Sequence, residues 1–152
     1  MVDDTDRQII NALLVDGRAS ARDVADETSI PATTVSRRLD GLVGSDCIET
    51  FTPRVNYAAF GYDVTAVFRL SVDGSGLQGV TDRLAERSNM VAVYEVTGSD
   101  DIVAIGKFRD TATMNERIKE LLTDQDVRSV ATDVVLRIVA EFDQFQVDLE
   151  GD

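Results

Sequence analysis

Apolar residues recur at helical spacing in three short stretches near the start of the chain. Ile9, Ile10, Leu13 and Leu14 predict a helix over 4–15, with Asp4 or Thr5 as its start signal and Gly17 as its stop. A second helix is expected over 20–28, where Ser20 and Asp23 have the spacing of a capping box and Val24 supplies a buried anchor. The third covers 31–43. It starts near Pro31, a residue suited to a first helical turn, and turns Val35, Leu39 and Leu42 inward. The last two are joined by the short turn Thr28-Ser29-Ile30, which makes a helix-turn-helix.

Residues 47–51 and 54–57 look like two short strands around Pro53, a wing that runs into a connector ending at Gly61. Residues 62–72 then alternate. Tyr62, Val64, Ala66, Phe68, Leu70 and Val72 face one way, and Asp63, Thr65, Val67, Arg69 and Ser71 the other. A turn at Gly74-Ser75-Gly76 leads to a helix on Leu77, Val80 and Leu84. Strands are expected at 90–97 and 101–108, joined by Gly98-Ser99-Asp100. A helix over 111–123 and a last strand over 127–139 complete the order β-α-β-β-α-β, the ferredoxin-like pattern. The expected class is therefore α+β. A winged helix-turn-helix occupies 1–52, a connector 53–61 and a ferredoxin-like domain 62–152.

Both parities of these strands carry apolar residues. Val91 and Val93, Val103 and Ile105, and Val135 and Val139 oppose the other apolar set. In a ferredoxin-like fold the helices cover one sheet face only, so the second face needs another cover, and a second copy of the chain is the simplest. The tail Phe145-Gln146-Val147-Asp148-Leu149 also alternates and is a candidate edge strand.

Charge changes this picture. The chain has 28 acidic and 15 basic residues, a net of −13, and only Lys107 and Lys119 are lysines. Net charge speaks to solubility and association rather than fold, and we read it as adaptation to very high salt. With no histidine and one cysteine, no Cys/His zinc site and no internal disulfide can form, and most His-based catalysis is excluded. No cofactor is expected. No apolar run approaches the roughly 20 residues that span a bilayer, and the acidic start Met1-Val2-Asp3-Asp4 lacks the marks of a signal peptide. A soluble cytoplasmic protein is expected. Cys47 reads as a small buried strand residue.

The third helix carries the candidate chemistry. With its apolar stripe inward, Thr33, Arg37 and Asp40 point outward, flanked by Thr34 and Arg38 on one side and Ser36 on the other. Hydroxyls and guanidinium groups contact base edges and phosphates. Thr33, Thr34, Ser36, Arg37 and Arg38 are therefore the candidate DNA contacts, and a polar solvated helix face is the alternative. Arg37 suits a guanine edge or a phosphate. Arg38 suits a phosphate or a carboxylate of its own chain. Residues 1–50 hold five arginines against ten carboxylates, which gives no long-range attraction to DNA. At molar salt the Debye length is only about 3 Å, so binding would rest on close contacts and on a dimer reading two half-sites.

The residues resemble the Lrp/AsnC (feast/famine) regulators over nearly the whole chain. The matching pieces are Asp6-Arg7-Gln8-Ile9-Ile10, Asp16-Gly17-Arg18-Ala19-Ser20, Thr34-Val35-Ser36-Arg37-Arg38-Leu39, Ile48, Val96-Thr97-Gly98-Ser99-Asp100-Asp101 and Thr132-Asp133-Val134-Val135-Leu136. The resemblance implies a transcriptional regulator that binds double-stranded DNA and is modulated by a small-molecule effector, an amino acid or similar metabolite. It implies homodimers that pair through their sheets and assemble up to octamers. The implied effector pocket lies near the turn between the second and third strands, at a contact between dimers, and includes Thr97, Gly98, Asp100, Asp101 and Thr132. Backbone N–H groups at a Gly turn can hold a carboxylate while an Asp takes an ammonium. Three departures stand out: Pro31 in place of a capping Ser, Asp46 in place of a Gly, and Ser99-Asp100 in place of an Asp-aromatic pair. Siroheme decarboxylases are similar in architecture but rely on histidine, so no catalytic residue is assigned. The competing reading is a sensor or corepressor that acts through oligomerisation and barely touches DNA.

Overall fold

Asp3 sets the start of the first helix, α1 (Asp4–Val15), one residue before the expected signal. Its Oδ1 accepts the Asp6 N–H at 3.0 Å, while the Asp6 Oδ2 accepts the Asp3 N–H at 3.0 Å. This reciprocal cap satisfies two helix-end donors that would otherwise be left unpaired. The computed structural model describes residues 1–150. Helix α2 (Ala21–Thr28) has the same kind of cap, from Ser20 and Asp23 as expected. It ends on Ser29, whose φ of 60° turns the chain sharply into helix α3 (Ala32–Gly44). Pro31 caps α3 without a side-chain hydrogen bond. Ile9, Ala12, Val24, Val35 and Leu42 form the buried core of the three helices. Fully burying an Ile, Leu or Val side chain contributes about 1.5–3 kcal/mol.

The expected wing does not form. Ile48 packs against the helical core and donates its N–H to the Leu42 carbonyl at 3.1 Å. From Glu49 to Phe60 every residue is exposed, and no strand is present until β1 (Val64–Val72). Alternation alone cannot make a strand, because a strand needs a partner for its hydrogen bonds. Cys47 is accordingly exposed, not a buried strand residue. Asp46 takes the left-handed φ of 58° that its replacement of a glycine requires. Tyr57–Phe60 is a 3-10 turn that ends on Gly61 at φ 80°.

The tail adds no edge strand either. Its Val147 pairs in both directions with the Asn11 side chain: Nδ2 donates to the Val147 carbonyl at 2.9 Å, and the Val147 N–H donates to Oδ1 at 2.8 Å. Arg7 Nη1 donates to the Asp148 carbonyl at 2.8 Å, and Arg54 Nη2 to the Glu141 carbonyl at 2.5 Å. Residues 1–54 and the tail from Ala140 thus form one compact unit, and residues 55–139 the other. The expected domain 62–152 includes this tail. The hydrogen-bonding partners of its backbone place it with the first.

The second unit is β1, α4 (Leu77–Ala85), β2 (Met90–Glu95), β3 (Ile102–Phe108), α5 (Thr111–Thr123) and β4 (Val127–Val134). The sheet order is β2-β3-β1-β4, antiparallel throughout. Ala66, Phe68, Leu70, Ile102, Ala104 and Phe108 pack with Val80 and Leu84 of α4 and Met114 and Leu121 of α5. Strand β4 stops at Val134, five residues short of expectation, and the Val135 N–H then donates to the Thr65 carbonyl at 2.8 Å.

The register assigns the face opposite the helices. Its rows run Ala92–Ile105–Val67–Asp133 and Tyr94–Val103–Arg69–Ala131. Val93 lies instead on the helix side, opposite Ala104, because an irregularity between Met90 and Ala92 changes the parity of β2. Lys107 is 4% exposed on the same face as Thr65, to whose Oγ1 its Nζ donates at 3.0 Å.

Candidate functional site

Helix α3 presents Thr33, Ser36, Arg37 and Asp40 as exposed residues and Thr34 as half-buried. They are positioned by Val35 and Leu42, which lock the opposite side of the helix into the core. Its first turn has no acidic residue. Among the described residues Arg37 meets no carboxylate.

Its neighbour differs. Arg38 Nη1 lies 2.9 Å from Asp3 Oδ2 and 3.3 Å from Asp6 Oδ2. The Asp6 residue is 5% exposed. Arg38 therefore ties α3 to the capped end of α1, which is the second of the two roles its sequence position allowed. The Asp3 carboxyl is held below its ordinary value, first by the Asp6 N–H and then by the Arg38 guanidinium. So α3 brings together Thr33, Thr34, Ser36 and Arg37, while the guanidinium of Arg38 is turned to its own chain.

The turn between β2 and β3 gathers four of the five effector candidates. Thr97 and Gly98 are exposed, and Asp100 and Asp101 are half-buried. Gly98 has φ 116°, a conformation that disfavours any residue with a Cβ. Asp101 is committed to the fold. Its Oδ2 accepts the Val72 N–H at 2.8 Å, its N–H donates to the Leu70 carbonyl at 2.8 Å, and its carbonyl accepts the Val96 N–H at 2.9 Å. Asp100 is freer, with its Oδ2 3.8 Å from Arg69 Nε.

Thr132 is not brought to this turn. It stands opposite Phe68 on the helix-covered face of β4, and β1 separates its strand from β3. The residue that does connect β4 with the turn is Arg69, which reaches Asp100 on one side and donates from Nη1 to Asp133 Oδ2 at 2.5 Å on the other. Sequence reading placed Arg69 on the polar parity of its strand but gave it no role. A single charged residue inside the otherwise uncharged run Val64–Val72 is the signal the sequence offers. Among the described residues no cluster of three metal-ligating side chains is present, and no helix is long and apolar enough to cross a membrane.

Comparison with known proteins covers both units. Residues 2–43 match the AsnC-type helix-turn-helix domain, and residues 65–145 the Lrp/AsnC ligand binding domain. An HTH-type transcriptional regulator of Pyrococcus horikoshii is 36% identical over 140 residues, which is 92% of this chain and 95% of that protein. The feast or famine regulatory protein of Mycobacterium tuberculosis, solved with L-methionine, superposes with a TM-score of 0.89 at 21% identity, over 97% of this chain and 100% of that one. A transcriptional regulator of Neisseria meningitidis, also solved with L-methionine, gives 0.87 at 17% identity, over 99% and 98%. The fold expected from the sequence, a helix-turn-helix followed by a ferredoxin-like sheet, is the fold of these structures. Two of these proteins are named regulators of transcription. The sequence match over both units makes this chain a member of the Lrp/AsnC family of transcriptional regulators.

Proposed function

We propose that the chain regulates transcription by binding specific duplex sites through α3, and that a small metabolite, an amino acid, modulates it. The observation that carries the reading is the unpaired Arg37 beside three hydroxyl side chains, on the exposed face of a helix in an AsnC-type helix-turn-helix. Thr33, Thr34 and Ser36 suit base edges or phosphates, and Arg37 suits a guanine edge. Arg38 supports this surface through Asp3 and Asp6 rather than through a base.

The effector reading rests on the β2–β3 turn. Open N–H groups near Gly98 suit a carboxylate, and Asp100 suits an ammonium. Two relatives of the same fold hold L-methionine, which makes it the first ligand to try. A second copy, laid on the sheet face that carries Val67, Val103 and Ile105, is the proposed dimer partner, with an octamer as the larger assembly.

Gel shifts of genomic fragments in molar KCl, with and without each amino acid, test both parts. A pseudo-palindromic footprint that changes with one amino acid supports the reading, and equal retardation of all fragments would sink it. The excess of carboxylates over arginines in residues 1–50 favours one rival, a corepressor that acts through oligomerisation alone. Regulation in the cell left unchanged by Arg37→Ala would support that rival.

A further inference from the structure

Arg37 is not the only arginine that the helical unit leaves unpaired. Of the six arginines in residues 1–54, Arg7, Arg38 and Arg54 each lie against a carboxylate. Arg18, Arg22 and Arg37 lie against none among the described residues, in a stretch rich in Asp. All three are exposed.

The carboxylates nearest to Arg18 and Arg22 in sequence are turned to the backbone. Asp16 Oδ1 accepts the Arg18 N–H at 2.9 Å. Asp23 Oδ2 accepts the Ser20 N–H at 2.8 Å and the Ser20 hydroxyl at 2.7 Å. These caps leave both guanidinium groups free beside the positive end of α2. Val24 is 1% exposed and fixes the inward side of α2. Arg22, two positions earlier, therefore points away from the core. Asp26 and Glu27, further along the helix, stay on the surface.

Scale supports a common target for these arginines. An eight-residue helix is about 12 Å long, and the major groove is about 12 Å wide. The turn at Ser29 and Ile30 joins the far end of α2 to the start of α3. If α3 enters a groove, the other end of α2 meets the sugar-phosphate wall.

Resting on the proposal that α3 reads duplex DNA, we infer that Arg18 and Arg22 are contacts to its phosphodiester backbone, set apart from the base-reading surface of α3. They anchor the helix-turn-helix against one strand without reading sequence.

The test measures binding of the full chain to a mixed-sequence duplex across a series of KCl concentrations. Each phosphate contact contributes about 0.9 to the slope of log affinity against log salt. Arg18→Ala and Arg22→Ala should each lower that slope by about this amount, on specific and non-specific duplexes alike, with Tm unchanged. Arg22→Lys should keep the slope. Lys119→Ala, which removes an exposed unpaired cation from α5, should also keep it. Parent-like slopes in both Ala variants, or an equal fall in Lys119→Ala, would overturn the inference while leaving α3 as the reader. A parent chain that binds no duplex at any KCl concentration would overturn the DNA-reading proposal itself.

Discussion

The two units treat their arginines differently. Of the seven arginines in the sheet unit, Arg69, Arg83, Arg87, Arg117 and Arg128 each face a carboxylate, Arg109 lies over the Tyr62 ring and donates to the Phe60 carbonyl, and Arg137 faces no carboxylate among the described residues. In the helical unit Arg18, Arg22 and Arg37 face none among the described residues, although carboxylates outnumber arginines there too. The contrast is one of degree, and it is sharpest on the helix-turn-helix, where three exposed arginines stand without a carboxylate in an acidic stretch. The pair Arg37 and Arg38 makes the point within one helix. Adjacent in sequence and identical in chemistry, one holds the fold and the other faces outward.

The cores also differ in weight. Phe68, Leu70 and Ile102 are fully buried in the sheet unit, against Ile9 as the largest side chain buried to that degree in the helical one. Phe68→Ala should destabilise the chain by about 3–5 kcal/mol, and Ile9→Ala by about 2–5. Denaturant titration measures both, and a loss under about 1 kcal/mol at Phe68 would break this comparison.

The arginine pair gives the next effect. Arg37→Ala should weaken binding to a specific site by about 1–3 kcal/mol and leave stability within about 0.5 kcal/mol. Arg38→Ala should do the reverse for stability, with a loss of about 1–2 kcal/mol. That figure is discounted from the fully buried case because its side chain is 34% exposed while that of Asp6 is 7% exposed. Equal behaviour of the two variants in thermal melts would remove the distinction.

Smaller still is the ion pair on the open sheet face. Arg69 and Asp133 side chains are 42% and 59% exposed, so Asp133→Asn should change stability by about 0.2–1 kcal/mol or less. If Asp133→Asn abolishes an amino-acid-induced rise in Tm at this small stability change, the Asp100–Arg69–Asp133 group belongs to the effector site.

Acid supplies the smallest expected effect. Asp3, Asp23 and Asp110 are held below the ordinary carboxylate value of 3.8, by the Asp6 N–H, the Ser20 hydroxyl and the Thr113 hydroxyl respectively. A lowered pKa in the folded chain contributes stability that is complete above 3.8 and is lost as pH falls through the folded values. Melting temperature should therefore drop on acidification below that point. Asp3→Asn keeps a capping group but removes one titration, so its melting temperature should fall less steeply.

Much of the fold was readable in the sequence because it depends on local pattern. The helix on Met114, Ile118 and Leu121 runs over Thr111–Thr123 as expected, and the alternation of β1 sorts Ala66, Phe68 and Leu70 inward. The failures share one cause. The wing, the end of β4 and the tail strand are expected from local sequence, yet a strand needs a neighbouring strand, and none pairs with these segments among the described residues. The candidate site was readable in the same uneven way. The exposed face of α3 followed from helical period, whereas the commitment of Arg38 depends on Asp3 and Asp6, more than thirty residues away in sequence. Within one chain β1 stands between the strand of Thr132 and the β2–β3 turn, a sheet order that cannot be read from spacing.

The account turns on α3 as a reader of sequence. Footprinting of the full chain and of Arg37→Ala on the same genomic fragments in molar KCl tests this most directly. The account predicts that the parent protects two half-sites spaced by a whole number of helical turns, about 34–36 Å each, and that Arg37→Ala loses this protection while its melting temperature stays the same. Identical protection by both proteins, or no preference of the parent for any fragment, would contradict it.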